Sequence, residues 1–117
     1  MGIYSVGPDF QARIKLLTKE EGGRNGLPKQ GLRSDFIYEG ESISYQYAIW
    51  PEFLDEDKNP IQIEKFLEVN ECLANFYILD PILKDKVHKK RIQIGVKFNM
   101  MEGSKIIGLG TVTEIFM

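Results

Sequence analysis

Phe10-Gln-Ala-Arg-Ile-Lys-Leu-Leu-Thr-Lys-Glu-Glu-Gly-Gly-Arg24, a turn-rich loop, and then Gly31-Leu-Arg-Ser-Asp-Phe-Ile-Tyr38 decide how the chain folds. Phe10, Ala12, Ile14 and Leu16 alternate with Gln11, Arg13 and Lys15, the period-two pattern of a strand buried on one face. Lys19-Glu20-Glu21 then leads into Gly22-Gly23, a pair that accepts positive φ and ends the strand. Gly22, Gly23 and Gly26 make the segment from Lys19 to Gln30 an ordered surface loop rather than a tight hairpin. A second apolar run starts at Phe36, so the stretch is strand, structured loop, strand.

Working outward, Ser44 to Trp50 is a third strand, with Tyr45, Tyr47 and Ile49 on one face and Pro51 closing it. Residues 51–60 form an acidic, proline-bounded loop. Ile61, Ile63, Phe66 and Leu67 fit neither period and suit a short helical turn or a weak strand. Leu73 to Leu79 is apolar or small on both faces apart from Asn75, as in a strand covered on two sides, and Asp80-Pro81 breaks it. Ile92, Ile94, Val96, Phe98 and Met100 alternate with polar residues or glycine, Glu102-Gly103-Ser104 turns, and Lys105 to Phe116 returns. On the return strand Ile106, Gly108, Gly110 and Val112 share a face, and two glycines there imply a bend or a close approach. Six strands without a long helix predict an all-β, six-stranded, closed antiparallel barrel. It occupies residues 1–117 as one domain, with 1–9 as a loose lead-in.

With 117 residues, 43% of them hydrophobic, the chain can bury a core without covalent staples. A net charge of −2 provides no general attraction to nucleic acid or membrane. Cys72 is the only cysteine, so no intrachain disulfide forms. With no signal-peptide pattern at the N-terminus, a reducing cytoplasm is expected. Met1-Gly2 is not a myristoylation signal, because Val6 stands where Ser or Thr is needed. No apolar run is long enough to span a membrane.

Enzymatic constellations are missing. Gly103 and Gly108 have P-loop spacing, but Leu109-Gly110 replace the Lys-Ser/Thr pair, so no GTP site is expected. His88 is the only histidine and lies in the charge run Lys84-Asp-Lys-Val-His-Lys-Lys-Arg91, read as a solvated turn between strands. The alternative is that Lys84, Lys86, Lys89, Lys90 and Arg91 form a patch for anions or RNA phosphate, without aromatics for base stacking. Cys72 reads as a small buried hydrophobe. Glu52, Asp55, Glu56 and Asp57 lack the spacing and glycine of a calcium loop and read as a solubilising loop. One Cys and one His rule out the usual zinc sets, and no cofactor or metal is expected.

Three blocks carry a resemblance to the C-terminal β-barrel (domain 3) family of elongation factor Tu. They are Glu21-Gly22-Gly23-Arg24 with Gly31-Leu-Arg33, Phe76-Tyr-Ile-Leu-Asp-Pro-Ile82, and Phe98 through Ile115. Between Trp50 and Asn70 the chain has roughly ten extra residues, and the family's Pro-Gly-Asp before its fourth strand is absent. The resemblance implies a bacterial, translation-related barrel that binds no nucleotide, packs on a GTPase domain and contacts the T-stem of aminoacyl-tRNA. Its RNA contacts carry over to Glu102 and Gly103, to Ser44 in place of a threonine, and to Asp35 in place of a glutamine. Met101 stands where the family has a basic side chain, which removes a phosphate contact.

The expected function is a non-enzymatic binding module engaging a protein partner or RNA. The expected contacts are Glu20, Glu21, Gly22, Gly23, Arg24 and Arg33, with the Glu102-Gly103 turn. Arg24 either covers its own turn or pairs with a carboxylate on the partner. The alternative is an immunity-type or mimic protein that blocks a partner of the translation factor. A small hydrolase has only dispersed carboxylates in its favour.

Overall fold

The computed structural model describes residues 6–117; the expected lead-in 1–9 therefore lies partly outside the described residues. Six strands form one antiparallel sheet: β1 (Phe10–Leu16), β2 (Asp35–Tyr38), β3 (Ile49–Phe53), β4 (Glu71–Ile78), β5 (Lys97–Glu102) and β6 (Lys105–Ile115). Their spatial order is β2-β5-β6-β1-β4-β3, which places β1, the strand with the clearest alternation, near the middle. One helical segment, α1 (residues 81–91), connects β4 to β5. The all-β expectation is met.

The period-two residues of β1 are the inner face. Phe10, Ala12 and Ile14 are fully buried, facing Phe76, Ala74 and Cys72 on β4. On the other side Ala12 faces Val112 and Ile14 faces Gly110 of β6. Four rings close over this face: Phe10 stacks on Phe76 at 5.1 Å and Phe36 on Phe98 at 4.5 Å. Edge-to-face contacts at 6.0 Å (Phe10–Phe98) and 5.2 Å (Phe76–Phe98) join the two pairs. Such pairs add about 0.5–1.5 kcal/mol each beyond their buried area.

The two return-strand glycines are explained by close approach. A methyl group built on Gly110 would lie 2.6 Å from Cε2 of Phe98, and one on Gly108 would lie 3.1 Å from Sδ of Met100. Ile106 does not share their face, however. A bulge between Met100 and Met101 makes Met101 face Ile106 while Met100 faces Gly108, so Ile107 turns inward and is buried.

The sheet is a half-barrel, and the expected closed barrel is not formed. Its outer strand β2 meets the segment just before β3 at the bridge Phe36–Tyr47, with Phe36 N donating to Tyr47 O at 2.9 Å and Tyr47 N to Phe36 O at 2.7 Å. The third strand starts later than expected, at Ile49, and runs through Pro51 instead of stopping there. Proline is tolerated because β3 pairs with β4 alone and is an edge strand. The side-chain amide of Gln30 occupies the free edge: it donates to Phe53 O and accepts from Phe53 N, both at 2.8 Å. With a donor missing at Pro51 and Phe53 already bonded, no ladder from β3 to β2 can form.

Residues 61–68 are neither helix nor strand but a loop bridged to Lys29 at Phe66. The helix lies instead at α1. Asp80 caps it, accepting from Ile82 N at 2.9 Å and Leu83 N at 3.2 Å, and Pro81 takes the first helical position. Lys84–His88 form a π-helical turn between α-helical Pro81–Leu83 and Lys89–Arg91. The expected strand from Ile92 to Val96 is a turn that leaves Ile94 exposed.

Gly110→Val should lower stability by roughly 1–3 kcal/mol or more, as overpacking does, because the Phe98 ring would have to leave its site. Gly7→Ala, which meets no atom within 4 Å, should be neutral. Chemical denaturation of both variants checks this; a Gly110→Val protein as stable as the parent would refute the ring-on-glycine account.

Candidate functional site

Three loops that are distant in sequence meet at one end of the sheet. The first is the turn after β1, where Thr18 and Glu21 cap each other: Thr18 N donates to Glu21 Oε1 at 3.0 Å and Glu21 N to Thr18 Oγ1 at 3.3 Å. These bonds, with Lys15 3.6 Å away, hold the Glu21 carboxyl below its ordinary range. Gly22 turns with φ of 91°. Gly23 is there for space: a methyl group on it would lie 2.7 Å from the backbone carbonyl carbon of Leu17. Glu20 stays exposed.

That geometry delivers Arg24 to the β5–β6 hairpin, where its Nη1 meets Glu102 Oε2 at 2.5 Å. Arg24 thus covers its own molecule rather than standing free for a partner. Gly103, with φ of 59°, and Ser104 form the two-residue turn. The third loop arrives from the other side, with Gln46 Nε2 donating to Gly103 O at 2.7 Å. Next to Gln46, Tyr45 and Ile43 are 58% and 47% exposed. Ser44 is exposed and bonds Ser42 Oγ at 2.9 Å.

The remaining positions taken from the resemblance divide. Asp35 opens β2 directly opposite Met101 on β5 and is exposed. Met101 itself is buried, so that position offers nothing to a ligand. Arg33 lies over the Trp50 ring, 4.5 Å from its centroid.

The basic run is not a solvated turn between strands. In α1, Lys84, His88 and Arg91 recur at i, i+4 and i+7 and pin the helix to the sheet. Lys84 pairs with the buried Asp9 at 2.5 Å, whose other oxygen accepts from Ile78 N at 2.7 Å. Arg91 pairs with Glu41 at 2.5 Å and covers the Tyr38 ring at 3.8 Å. His88, expected in solvent, is 1% exposed and shares a 2.7 Å hydrogen bond between Nδ1 and Tyr38 Oη. Lys89 is 3.8 Å from Asp85 across exposed helix, and Lys86 and Lys90 have no ion pair among the described residues. Two of the five cations of the patch are thereby committed to packing and one to a weak surface pair. The findable signal was Asp80-Pro81 followed by the 84/88/91 spacing.

Burial, then the neighbouring Arg91 charge, push the His88 imidazole down to about 4. Burial also pushes the Cys72 thiol up to about 11, and Cys72 packs in the core cluster. Glu52 is not in the acidic loop but in β3, buried, accepting from Tyr77 Oη at 2.8 Å and Asn75 Nδ2 at 3.1 Å. Among the described residues no three His, Cys, Asp or Glu side chains converge as a metal site, and no helix is long and apolar enough to cross a membrane. No protein-family model matches the chain.

His88 makes stability depend on pH. The unfolded chain takes up the imidazole proton near 6.5, the folded chain only near 4. Between those values the unfolded state binds more protons, so stability falls as pH falls, by on the order of 3 kcal/mol in all. Urea midpoints measured from pH 7 to 4 should show this slope, and His88→Gln should flatten it. Parallel profiles for the two proteins would refute the assignment to His88.

Proposed function

We propose that the chain is a non-enzymatic binding module that docks on a protein partner through the joined end of the sheet. The observation that carries this is the pair of cross-links Arg24–Glu102 and Gln46–Gly103, which preorder three loops around exposed Tyr45 and Ile43. An exposed aromatic and an aliphatic anchor beside a fixed polar rim is the arrangement that holds protein interfaces. Loops ordered before binding also reduce the conformational entropy lost on association. Support for a non-enzymatic role comes from His88 and Cys72, which are held neutral and buried and so do not form a nucleophile–base pair with each other.

In this proposal the chain is a relative of the domain 3 barrel of elongation factor Tu, acting in the cytoplasm. Glu102 and Gly103 match the resemblance in type, Ser44 stands in for its threonine, and the first partner to test is a translation GTPase domain. Protein is favoured over tRNA because Met101 is buried, Asp35 adds an anion beside the turn, and Glu102 is already paired with Arg24.

Two measurements test the proposal. Tyr45→Ala and Ile43→Ser should each weaken protein capture from source-cell lysate, and any binding of a purified translation GTPase domain, by about tenfold. Lys90→Ala on α1 should leave capture intact. Capture untouched by the Tyr45 and Ile43 changes would refute the docking surface. Free tRNA should bind no tighter than about 10⁻⁴–10⁻⁶ M at physiological salt, the range of non-specific contacts. Removing Lys86, Lys89 and Lys90 together should abolish that residue of binding. Submicromolar affinity for aminoacyl-tRNA, lost on altering Ser44 or Glu102, would replace the protein partner with RNA.

A further inference from the structure

A second surface runs beside the joined loops, with Arg24 of that end and Phe66 of this surface lining one shallow hollow. Between the acidic loop after β3 and the loop leading into β4 runs an open groove of about 450 Å³. Its floor includes Leu54 and Cys72, and one wall presents Phe66 and Val69, which are 60% and 56% exposed. Glu56, Asp57, Glu68 and Glu71 lie along it with Asp55, against Arg13 and Lys65 in the lining and Lys29 over the Phe66 ring.

Both walls are fixed by backbone bonds. On one side Leu54 N donates to Leu73 O at 2.9 Å and Asp55 N to Asn59 O at 2.8 Å. The Asp55 carboxylate accepts from Asp57 N and Asn59 N, both at 2.9 Å, so its role is to shape the loop. On the other side Gln30 N bonds Lys65 O and Leu67 N bonds Pro28 O, each at 2.9 Å. Lys29 covers the Phe66 ring at 5.0 Å and fixes its position. The groove is preformed, and its exposed apolar wall is not the by-product of a loose loop.

We propose that this groove binds a lysine- or arginine-bearing amphipathic segment of a protein partner. Charge complementarity selects the occupant. An apolar side chain would cover Phe66 and Val69, while cations on the same segment would meet Glu56, Asp57, Glu68 and Glu71. Of these, Glu68 is held only by an exposed 3.8 Å pair with Lys65, which a stronger cation would displace at little cost. An acidic segment would be repelled, and a purely apolar one would leave the carboxylates unmatched. Its anchors Phe66 and Val69 differ from Tyr45 and Ile43 of the neighbouring loop end, so substitutions at the two surfaces are read separately.

The test uses the full chain and a synthetic amphipathic Leu/Lys peptide in calorimetry, with a Leu/Glu peptide of the same pattern as control. The Leu/Lys peptide should bind at about 10 μM or tighter, and the Leu/Glu peptide should not bind. Phe66→Ser with Val69→Ser, which leaves the charge unchanged, should weaken binding about tenfold. Glu56→Gln, Asp57→Gln and Glu68→Gln together should weaken it and flatten its salt dependence. Absence of binding, or binding unaffected by the Phe66 and Val69 changes, would overturn the proposal. So would concentration-dependent self-association abolished by those same changes, which would make a second copy of the chain the occupant. Tyr45→Ala should leave peptide binding unaltered; a loss there would assign the peptide to the joined loop end instead.

Discussion

The fold depends on the ring of Phe98 lying where a side chain at position 110 would otherwise be. β6 separates β5 from β1, and any side chain larger than hydrogen at its centre would lift Phe98 away from Phe10 and Phe76. Because residue 110 is glycine, one ring on β5 bridges a strand and reaches both β1 and β4. That reach draws a six-stranded sheet into a half-barrel around five buried phenylalanines. The backbone freedom that glycine costs is offset by aromatic packing. Curvature and core filling are therefore one event here, governed by a single residue pair.

What the sequence revealed and what it concealed follow from the range of the forces involved. The alternation in β1 survives from Ala12 to Leu16 because both neighbours of that strand are long, while at Gln11, also buried, a register shift against β6 interrupts it. The β5–β6 hairpin was legible from Gly103, whose turn geometry is local. Sheet closure was not legible, since it is decided by Gln30 bonding to the edge of β3 from a loop some twenty residues away. Ile106 was misplaced because a bulge carries no local signature: one extra residue opposite Met100 exchanges inside for outside.

The charge run from Lys84 to Arg91 shows why composition misled at the candidate site. Seen as a string it is polar apart from Val87; wound into a helix it has a face that grips the sheet. Asp9, Tyr38 and Glu41, which receive Lys84, His88 and Arg91, come from other parts of the chain. The same distinction applies to Arg24. Its sequence context allowed either a residue covering its own turn or one offered to a partner; it pairs with Glu102 and holds two loops of its own molecule together, with Tyr45 and Ile43 the exposed apolar side chains of that end.

Occupation of the sheet edges limits how this molecule can engage anything else. Along the outer side of β3, Ile49 N donates to Tyr47, Pro51 has no N–H, and Phe53 is bonded on both its N–H and C=O. On β2, Phe36 is taken by Tyr47 and the carbonyl of Tyr38 by Glu41 N. A visiting extended peptide would find almost no main chain to hydrogen-bond, so recognition by adding a strand is closed to this domain. Contacts along these two edges are left to side chains, so the bonds that keep the edges from pairing with another sheet also keep their main chain from a visitor.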